Sequence, residues 1–389
     1  MSAAAHSFTA AVVGGSVGGL AAAHELRFIG ADVTVYERSV DRTQPRGAGI
    51  VMQPEVESLL ARLGISVPSV SVLLRERQQL HRDSRIGRYE APQWMTAWDT
   101  LYAALRAPLD DVRYRLGSEL DELSVEGGSI TATFADGHRT TTDLLVGADG
   151  VGSTTRGLLR LPGDVAYSGY VAWRGLEPEA ELPGHLVDLL AERFTAFGAP
   201  GMQMLCYLVP GANGDRERGS RRVNWVWYVN TAEKALARLL TGRSGRRYDN
   251  FLPPGELTAE HLAEVTTIAE RTLPRPFVEL IGQSTLFMQP VLDLPPSRMV
   301  VDQAVLIGDA AGTVRPHTAS GTSKALGDAA TLAGALHGWE AGADSPRLGP
   351  WEAHRIAHLE SVARSGLRLA AQSLLGPAGP DHSACADAR

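Results

Sequence analysis

The stretch from which the fold is best predicted is residues 308–321, GDAAGTVRPHTASG. The four apolar residues before it, 304–307, predict a buried strand of a parallel sheet. Apolar residues recur at helical spacing over 325–336, which predicts a helix that begins near Ser320. A strand, a turn and a helix N-terminus in this order direct free backbone N–H groups toward one point, which favours an electron-rich ligand.

Two residues of this stretch have more than one possible role. Asp309 follows the predicted strand, at the sheet edge where α/β proteins bind ligands, and Gly308 leaves room for a ligand beside the main chain. The other interpretation is an ordinary joint between a strand and a helix, in which Asp309 serves as a cap. The stretch alone leaves both interpretations open.

A second pattern lies near the N-terminus. Residues 8–13 predict a strand, GGSVGG at 14–19 predicts a tight turn, and the helix that follows ends at Gly30. A second strand, 33–36, is closed by Glu37, about 20 residues after the glycines. This order predicts a βαβ dinucleotide-binding unit whose acid binds ribose hydroxyls. Ser16 takes the place of the second fingerprint glycine and is small enough to be tolerated there.

A third pattern lies in the middle of the chain. Strands are predicted at 129–134 and 139–146, on either side of the hairpin turn Asp136-Gly137. The second strand leads directly into GADGVGSTTR at 147–156. Taken alone, Asp149 in this segment also suits a plain turn at the end of a strand.

Bulk properties exclude several classes of protein. The 389 residues suffice for two domains, and 44% hydrophobic and 21% charged residues are typical of a soluble globular protein. A net charge of -7 argues against nucleic-acid binding. Cys206 and Cys385 are too few and too far apart for a disulfide framework, and the histidines lack metal-ligand spacing, so no metal is assigned. We see no signal sequence or membrane-spanning run and expect a cytoplasmic protein.

The three patterns, in this order and spacing, resemble those of the FAD-dependent aromatic hydroxylases, which are para-hydroxybenzoate-hydroxylase-like single-component flavoprotein monooxygenases. Within that family, the segments 53–55, 170–175, 315–317 and 324–325 resemble the 2,6-dihydroxypyridine 3-hydroxylase branch. Two positions depart from the family pattern. Gly312 stands where a histidine is usual, and Trp98 stands where an arginine commonly contacts the cofactor.

The resemblance implies an α/β fold: a Rossmann-like FAD-binding domain with an inserted antiparallel β-sheet substrate domain and a C-terminal helix. The FAD-binding domain is expected at 1–75, 96–166 and 288–345, and the substrate domain at 76–95 and 167–287. The C-terminal helix is expected at 346–375, and the tail 376–389 is expected to be disordered. A homodimer is an expectation of the same kind.

The resemblance also implies a reaction. NAD(P)H reduces FAD, O2 adds at the flavin C4a position, and the resulting hydroperoxide hydroxylates an electron-rich ring. The expected substrate is a hydroxypyridine such as 2,6-dihydroxypyridine, with a phenolic or natural-product ring as the alternative. The residues expected to bind FAD are Gly14, Gly15, Ser16, Gly19, Glu37, Arg38, Gly49, Ile50, Asp149, Gly308, Asp309, Pro316, Gly321 and Thr322.

For proton transfer the resemblance and the turn position favour His317, although a turn histidine can simply bond a carbonyl. Arg315 is an anchor for substrate or nicotinamide, or a loop charge, and Lys324 either reaches solvent or pairs with an anion. Alternation puts Tyr170 and Trp173 on opposite faces of one strand, and either face suits the sheet core. Catalytic roles are expected for His317, Tyr170 and Arg315, and substrate contacts for Arg46, Trp173, Cys206, Tyr228 and His317.

Three other functions are alternatives to aromatic hydroxylation. Trp225-Val226-Trp227 is similar to the Trp-x-Trp element of flavin-dependent halogenases, but the Ile-Pro that follows in that family is missing. A protein that holds FAD without catalysis would show no substrate-stimulated oxidation of NADPH. A plain NAD-dependent dehydrogenase leaves the patterns at 147–156 and 308–321 unexplained.

Overall fold

The computed structural model describes residues 8–40, 49–110, 113–342 and 348–383. Within these ranges the strands form three sheets. The strands are β1 (Thr9–Val13), β2 (Asp32–Tyr36), β3 (Gly49–Val51), β4 (Val72–Leu80), β5 (Ile86–Ala97), β6 (Tyr114–Arg115), β7 (Leu120–Glu126), β8 (Ser129–Phe134), β9 (Arg139–Thr142), β10 (Leu144–Gly147), β11 (Ala166–Pro178), β12 (Arg193–Ala199), β13 (Met202–Val209), β14 (Arg222–Asn230), β15 (Phe287–Asp293), β16 (Val300–Val301) and β17 (Ala304–Leu306). The helices are α1 (Val17–Phe28), α2 (Pro54–Arg62), α3 (Trp98–Arg106), α4 (Thr154–Leu158), α5 (Gly184–Leu190), α6 (Glu233–Leu239), α7 (Ala259–Thr272), α8 (Arg275–Gly282), α9 (Gly321–Ala335) and α10 (Leu348–Gln372).

The first sheet has the strand order β16-β17-β10-β1-β2-β6, and its pairs are parallel except for β16 with β17. Its central strands β1 and β10 are almost entirely buried, as expected for a parallel sheet with helices on its faces. Because β1, β2, β10 and β17 are parallel, their carboxyl ends lie at one edge of the sheet. The three sequence patterns follow β1, β10 and β17, so the topology brings them to that edge.

The N-terminal βαβ unit forms as predicted. Helix α1 begins after Ser16, which is extended, and it packs against α9. It ends two residues before Gly30, whose φ of 94° is left-handed and therefore favours glycine. The predicted α/β Rossmann-like fold, with a further sheet and a C-terminal helix, is confirmed.

The second sheet has eight strands in the order β15-β11-β14-β13-β12-β4-β5-β3. Its neighbouring pairs are antiparallel, as expected, except β12 with β4, which is parallel. The two strands run the same way because the chain returns to β12 through β11 and α5 rather than through a hairpin. Helices α5 to α8 cover one face of this sheet, and their apolar residues pack on Trp173, Cys206 and Trp225.

One predicted strand, 139–146, is two strands in the structure. The threonine-rich β9 pairs with β8 in a three-stranded sheet, whereas the apolar β10 enters the parallel sheet. Asp143 lies between them, and its carboxylate accepts hydrogen bonds from the Thr9 N–H at 2.8 Å and the Thr9 hydroxyl at 2.7 Å. This anchor fixes the point at which the chain changes sheets.

The expected domain limits differ in detail from the extent of the eight-stranded sheet. β15 continues to Asp293, beyond the expected limit at 287, and β3 joins the sheet edge from a segment assigned to the FAD-binding domain. A division of the chain into two domains stays a prediction. None of the helices in the described ranges is long and apolar enough to cross a membrane.

The C-terminal segment departs from expectation. Residues 376–383 are attached to the end of β14 rather than disordered: the Gly376 N–H donates to Asn230 Oδ1 at 2.8 Å, and the His382 N–H donates to the Asn230 carbonyl at 3.2 Å. The Ala232 N–H also donates to the Asp381 carboxylate at 3.1 Å. These bonds satisfy polar groups at the strand end, which explains the order. The rest of the predicted tail, 384–389, lies outside the described residues.

Candidate active site

Two adjoining cavities lie where the parallel sheet meets the eight-stranded sheet. The strand-end cavity, about 490 Å³, runs along the carboxyl ends of β1, β2 and β10. The inter-sheet cavity, about 800 Å³, lies between the start of α9 and the face of the eight-stranded sheet that is opposite α5 to α8. The two cavities share several wall residues, which makes them one continuous cleft; these include Ser16, Trp98, Arg174, Tyr228, Asp309 and Pro316.

The first pattern packs tightly against the middle one. Gly14 has a φ of 101°, and a Cβ there would lie 2.5 Å from the Ala148 carbonyl oxygen. A Cβ at Gly19 would lie 1.9 Å from the Gly14 oxygen, and one at Gly15 would lie 2.2 Å from the Tyr114 hydroxyl. No side chain fits these positions, so the spacing of the glycines is a requirement of packing. Ser16, in contrast, is exposed and lines the cavities, which explains why a serine is accepted there.

The middle pattern is an internally bonded unit. The Asp149 carboxylate accepts hydrogen bonds from the Ser153 hydroxyl at 2.6 Å and from the Thr155 N–H at 2.9 Å, so it caps α4. The buried Arg156 donates to the Ala310 carbonyl at 3.1 Å, which ties this pattern to the stretch 308–321. Burial lowers the pKa of Arg156, and the charge of Asp149 opposes that shift. Asp149 also lines the strand-end cavity.

Glu37 lies at the end of β2 and is buried. Its carboxylate accepts hydrogen bonds from the Gly15 N–H at 2.7 Å and from the Ser39 N–H at 2.9 Å and hydroxyl at 2.7 Å. The carboxylate therefore fixes the glycine turn in addition to lining the cavity. Arg38 is exposed at the same cavity. The ribose contact of Glu37 stays a prediction.

In the third pattern, Asp309 is exposed and its partner Lys324 is buried. Asp309 is exposed and lines both cavities, so the stretch is more than a capped joint. Lys324 is 2% exposed, and its ammonium group donates to Asp309 Oδ1 at 3.2 Å and to the Gly312 carbonyl. Lys324 thus pairs with a carboxylate and does not reach solvent, which resolves the two alternatives. A buried ammonium group needs such partners.

The inter-sheet cavity joins the N-terminus of α9 to the eight-stranded sheet. Gly308, Pro316, Gly321 and Thr322 line it from one side, and Gly49 and Ile50 of β3 line it from another. A Cβ at Gly321 would meet open space, so the helix start has room for a ligand. Just before this helix, Ala319 has a φ of 55°, a left-handed conformation that costs energy for a residue with a side chain.

The opposite wall is built by one face of the strands β11 to β14. Because side chains alternate along a strand, every second residue of each strand faces the cavity. Tyr207 is fixed there by its hydroxyl, which donates to the Gly49 carbonyl at 3.2 Å, and its ring stacks on Phe194. The wall residues are Arg174, Phe194, Ala196, Gln203, Leu205, Tyr207, Val226 and Tyr228.

His317 lines the inter-sheet cavity, but both of its ring nitrogens have protein partners. Nε2 lies 2.9 Å from the Tyr170 hydroxyl and Nδ1 lies 2.9 Å from Gln203 Oε1. The ring also packs edge-on against Tyr228, with centroids 4.8 Å apart. Burial, assisted by the positive charge of Arg315, lowers the pKa of His317 to about 4. His317 is therefore neutral at pH 7.

Two expected catalytic residues lie behind His317 and line neither cavity. Tyr170 is fully buried, and burial raises the pKa of its hydroxyl. Arg315 donates to the Asp293 carboxylate at 3.0 Å, and its guanidinium lies 5.5 Å from the Tyr170 ring centre. The ion pair and the hydrogen bond hold Arg315 and Tyr170 behind His317, away from both cavities, and their catalytic roles stay predictions.

The remaining expected substrate contacts separate into two groups. Tyr228 lines both cavities, as expected. Trp173 and Cys206 lie on the helix-covered face of the sheet and line neither cavity. Because side chains alternate along a strand, they point to the opposite face from the β11 and β13 residues that line the cavities. Trp225 and Trp227 lie in the same core, so the halogenase interpretation gains no support. Arg46 lies outside the described residues.

Three wall residues were missed as sites from the sequence: Arg174, Gln203 and Trp98. Arg174 was visible as a member of the segment 170–175, and alternation from Tyr170 places it on the same face. Gln203 had no distinguishing pattern. Trp98 begins α3 and stacks on Tyr102, with ring centroids 5.0 Å apart, so an aromatic face replaces the expected cation at the junction of the cavities.

The cleft suits a large, anionic dinucleotide. The helices α1 and α9 both begin at its walls, so their free N–H groups and positive dipole ends face the cleft. A Cβ at Gly150 would meet open space, so the main chain is accessible there. Arg38 adds an exposed cation, and the flat cavity next to aromatic walls suits a ring system.

Comparisons with known proteins agree with this geometry. Residues 167–293 match a family model described as FAD binding domain-like. The chain is 34% identical over 345 residues to 2,6-dihydroxypyridine 3-monooxygenase of Paenarthrobacter nicotinovorans, covering 85% of each protein. It is 28% identical over 385 residues to 3-amino-4-hydroxybenzoate 2-monooxygenase of Streptomyces cremeus, covering 95% of this chain and 89% of that protein.

The fold comparison gives the same relationship. The structure of 2,6-dihydroxypyridine-3-hydroxylase from Arthrobacter nicotinovorans superposes with a TM-score of 0.87 at 31% identity, covering 95% of this chain and 94% of that one. The match spans both large sheets and the cleft between them. The similarity therefore includes the walls from which the site is built.

Proposed function

This chain belongs to the FAD-dependent aromatic hydroxylases, and from that premise we propose that it hydroxylates a hydroxypyridine ring such as 2,6-dihydroxypyridine with O2 and NAD(P)H. The observation that carries the proposal is the inter-sheet cavity, which opens directly from the strand-end cavity and has an aromatic and polar wall. The relatives support a single-ring substrate: one is named for 2,6-dihydroxypyridine and another for an aminohydroxybenzoate. A phenolic ring is therefore the alternative.

FAD supplies the activation of oxygen when it is bound. We assign its binding to the glycine turn at 14–19, to Glu37 and Arg38 at the end of β2, and to Asp149 and Asp309 at the strand ends. Gly308, Pro316, Gly321 and Thr322 would hold the end of the cofactor that reaches the inter-sheet cavity, together with Gly49 and Ile50. The N-terminus of α9 would stabilise negative charge there.

The eight-stranded sheet provides the second half of the site. Leu205, Val226 and Tyr207 give the inter-sheet cavity a partly apolar lining, which strengthens electrostatic interactions inside it. Tyr228 and His317 meet edge to face and give one wall a fixed shape. We propose that the substrate ring lies between this wall and the start of α9.

We propose that His317 positions the ring rather than acting as the base suggested by its place in the turn. With a pKa of about 4, a neutral His317 is a weak proton acceptor at pH 7. Both ring nitrogens are also engaged, by Tyr170 and Gln203. Tyr170 and Arg315 then act through His317, as positioning residues.

The test combines flavin reduction with product analysis. The holoenzyme is mixed without oxygen with NADPH or NADH, with and without 2,6-dihydroxypyridine, and flavin absorbance is followed in a stopped-flow instrument. We expect the ring to accelerate reduction, and a subsequent reaction with isotopic O2 to add one labelled oxygen atom to the ring. If the ring stays unlabelled and flavin reduction is not accelerated, the hydroxypyridine substrate is contradicted. A panel of phenols then tests the alternative.

A further inference from the structure

Arg174 is a cation without a protein partner at the junction of the two cavities. It lies on β11 and lines both the strand-end and the inter-sheet cavity. Its Nε atom is buried and forms no hydrogen bond with any described residue. Within the described part of the chain, its guanidinium group also forms no ion pair. Burying a charged group without partners is costly, so this position calls for a ligand.

The buried arginines of the described residues show what the half-buried Arg174 lacks. Arg221 pairs with Glu179 at 2.7 Å, Arg222 pairs with Asp99 at 2.7 Å, and Arg355 pairs with Asp328 at 2.7 Å, while Arg156 donates to two carbonyl groups. The fold therefore satisfies buried guanidinium groups wherever they are structural. Arg174, whose Nε is buried, has no such partner among the described residues, and it lies where the two cavities join.

Three of the four acids that line the strand-end cavity already have partners. Glu37 accepts from Gly15 and Ser39, Asp149 accepts from Ser153 and Thr155, and Asp309 pairs with Lys324. The groups that face Arg174 from β13 and β14 include Tyr207 and Tyr228, which are neutral because burial raises the pKa of each hydroxyl. The charge of Arg174 acts against both shifts, so its field reaches the aromatic wall of the inter-sheet cavity.

We propose that Arg174 binds an ionised oxygen on the aromatic substrate and thereby selects the ring in its anionic form. The inference rests on the proposed function and makes its substrate class narrower: an acidic hydroxylated ring. A ring nitrogen withdraws electrons and makes the hydroxyl groups of a hydroxypyridine more acidic than those of the matching benzene diol. A substrate that arrives ionised needs no base beside it, which agrees with the engaged nitrogens of His317.

The test measures binding to the oxidised holoenzyme, without turnover, from the change in flavin fluorescence. Two isosteric rings are compared at one neutral pH: 2,6-dihydroxypyridine, which is ionised, and resorcinol, which is neutral. We expect the wild type to prefer the pyridine, and Arg174→Gln to weaken its binding about 10- to 100-fold, as for loss of a charge-assisted hydrogen bond. Resorcinol binding should change less than about threefold, and Arg174→Lys should keep part of the preference.

The control is Arg238→Gln, which removes the same charge from an exposed arginine that lines neither cavity. It should leave both affinities unchanged. Equal weakening of the two rings in Arg174→Gln would overturn the inference, because it would show a structural role. The FAD affinity of each variant is measured in parallel: if Arg174→Gln releases FAD and leaves the ring preference intact, the anion is the flavin and the inference fails.

A second pair separates this inference from the proposed substrate. 4-Nitrophenol, ionised at mildly alkaline pH, is compared with neutral phenol in the same variants. If neither pyridine nor resorcinol binds, but 4-nitrophenol is preferred over phenol only when Arg174 is present, the hydroxypyridine substrate fails and the role of Arg174 stands. If no ionised ring is preferred in either pair, the role of Arg174 fails.

Discussion

The two cavities are built from different parts of the polypeptide. The walls of the strand-end cavity are set by the main chain: glycines pack against carbonyl oxygens, and Asp149 and Glu37 bond to backbone N–H groups. The inter-sheet cavity is set by side chains from alternate positions of β11 to β14. A change of side chain therefore alters the shape of the second cavity, whereas the first tolerates almost no change. The first is suited to a constant cofactor and the second to a variable substrate.

The largest effect is expected where the main chain is packed most tightly. Gly14→Val adds a side chain at a left-handed position, 2.5 Å from the Ala148 oxygen, and should cost about 3 kcal/mol of unfolding free energy or more. FAD binding should be lost with it. Urea unfolding and the flavin content of the purified protein measure both effects.

The matched control is Gly334→Ala on α9, where a Cβ meets open space. Because alanine favours helix, this variant should gain about 1 kcal/mol and keep its flavin. If Gly14→Val kept wild-type flavin content and stability, the main-chain description of the strand-end cavity would be wrong.

An intermediate effect is expected from His317 and depends on pH. Its folded-state pKa of about 4 lies below the ordinary 6.5, so the unfolded state takes up the proton first as pH falls. The stability that neutral His317 contributes is present above pH 6.5 and is lost toward pH 4, by up to about 3 kcal/mol. His317→Gln should flatten the stability curve in this window, whereas His81→Gln, in an exposed turn, should not. Urea unfolding between pH 4 and 8 checks this, and parallel curves for His317→Gln and the wild type would contradict it.

A smaller effect separates the two faces of one strand. Leu205 faces the inter-sheet cavity, and its neighbour Cys206 is buried against the helices. Leu205→Ala should shift the preference toward larger rings by about tenfold, since added space is worth about 1–3 kcal/mol per methylene-sized group. Cys206→Ser should leave ring affinities within about twofold and cost about 2 kcal/mol of stability, because it buries an unpaired hydroxyl. Ring-binding titrations and urea unfolding measure the two effects, and a changed ring preference in Cys206→Ser would refute the assignment of faces.

The smallest effect concerns the backbone conformation of Ala319, which lines the inter-sheet cavity. Ala319→Gly relieves the left-handed conformation before α9 but also frees the unfolded chain, so the net gain should be about 0.5 kcal/mol. Thermal unfolding measures the shift, with Ala330→Gly at an exposed position inside α9 as a control that should lose about 1 kcal/mol. A loss of stability in Ala319→Gly would show that the alanine methyl makes contacts that outweigh the strain.

This contrast also decides what the sequence predicts well. The strand-end cavity depends on glycine spacing and on acids at strand ends, and both features can be recognised in the sequence. Gly14, Asp149 and Asp309 are therefore predicted as cofactor-binding residues from the sequence alone. Strand alternation shows that Tyr170 and Trp173 lie on opposite faces, but which face meets the cleft depends on the helices α5 to α8, which lie far away in the chain. The sequence therefore shows which residues share a face of the sheet, but it does not show which face lines the cleft.

The hydrogen bonds around His317 could not be predicted from the sequence, for a related reason. Its partners Tyr170 and Gln203 come from strands more than 100 residues away, and their distances fix whether a nitrogen is free. Arg174 belonged to a noticed segment, yet its missing partner is a property of the folded surroundings. Burial and pairing of charges are tertiary facts, and no local pattern encodes them.

The order of strands in the parallel sheet has a consequence for how the enzyme is made. β1 is made before its neighbour β10, which follows about 130 residues later, and β17 follows about 160 residues after β10. The glycine turn therefore waits for the Ala148 carbonyl, and Arg156 waits for Ala310, before the cofactor site exists. FAD therefore binds only after β17 has been made, and it stabilises the folded chain by mass action, so the cellular supply of FAD influences how much of the newly made protein survives.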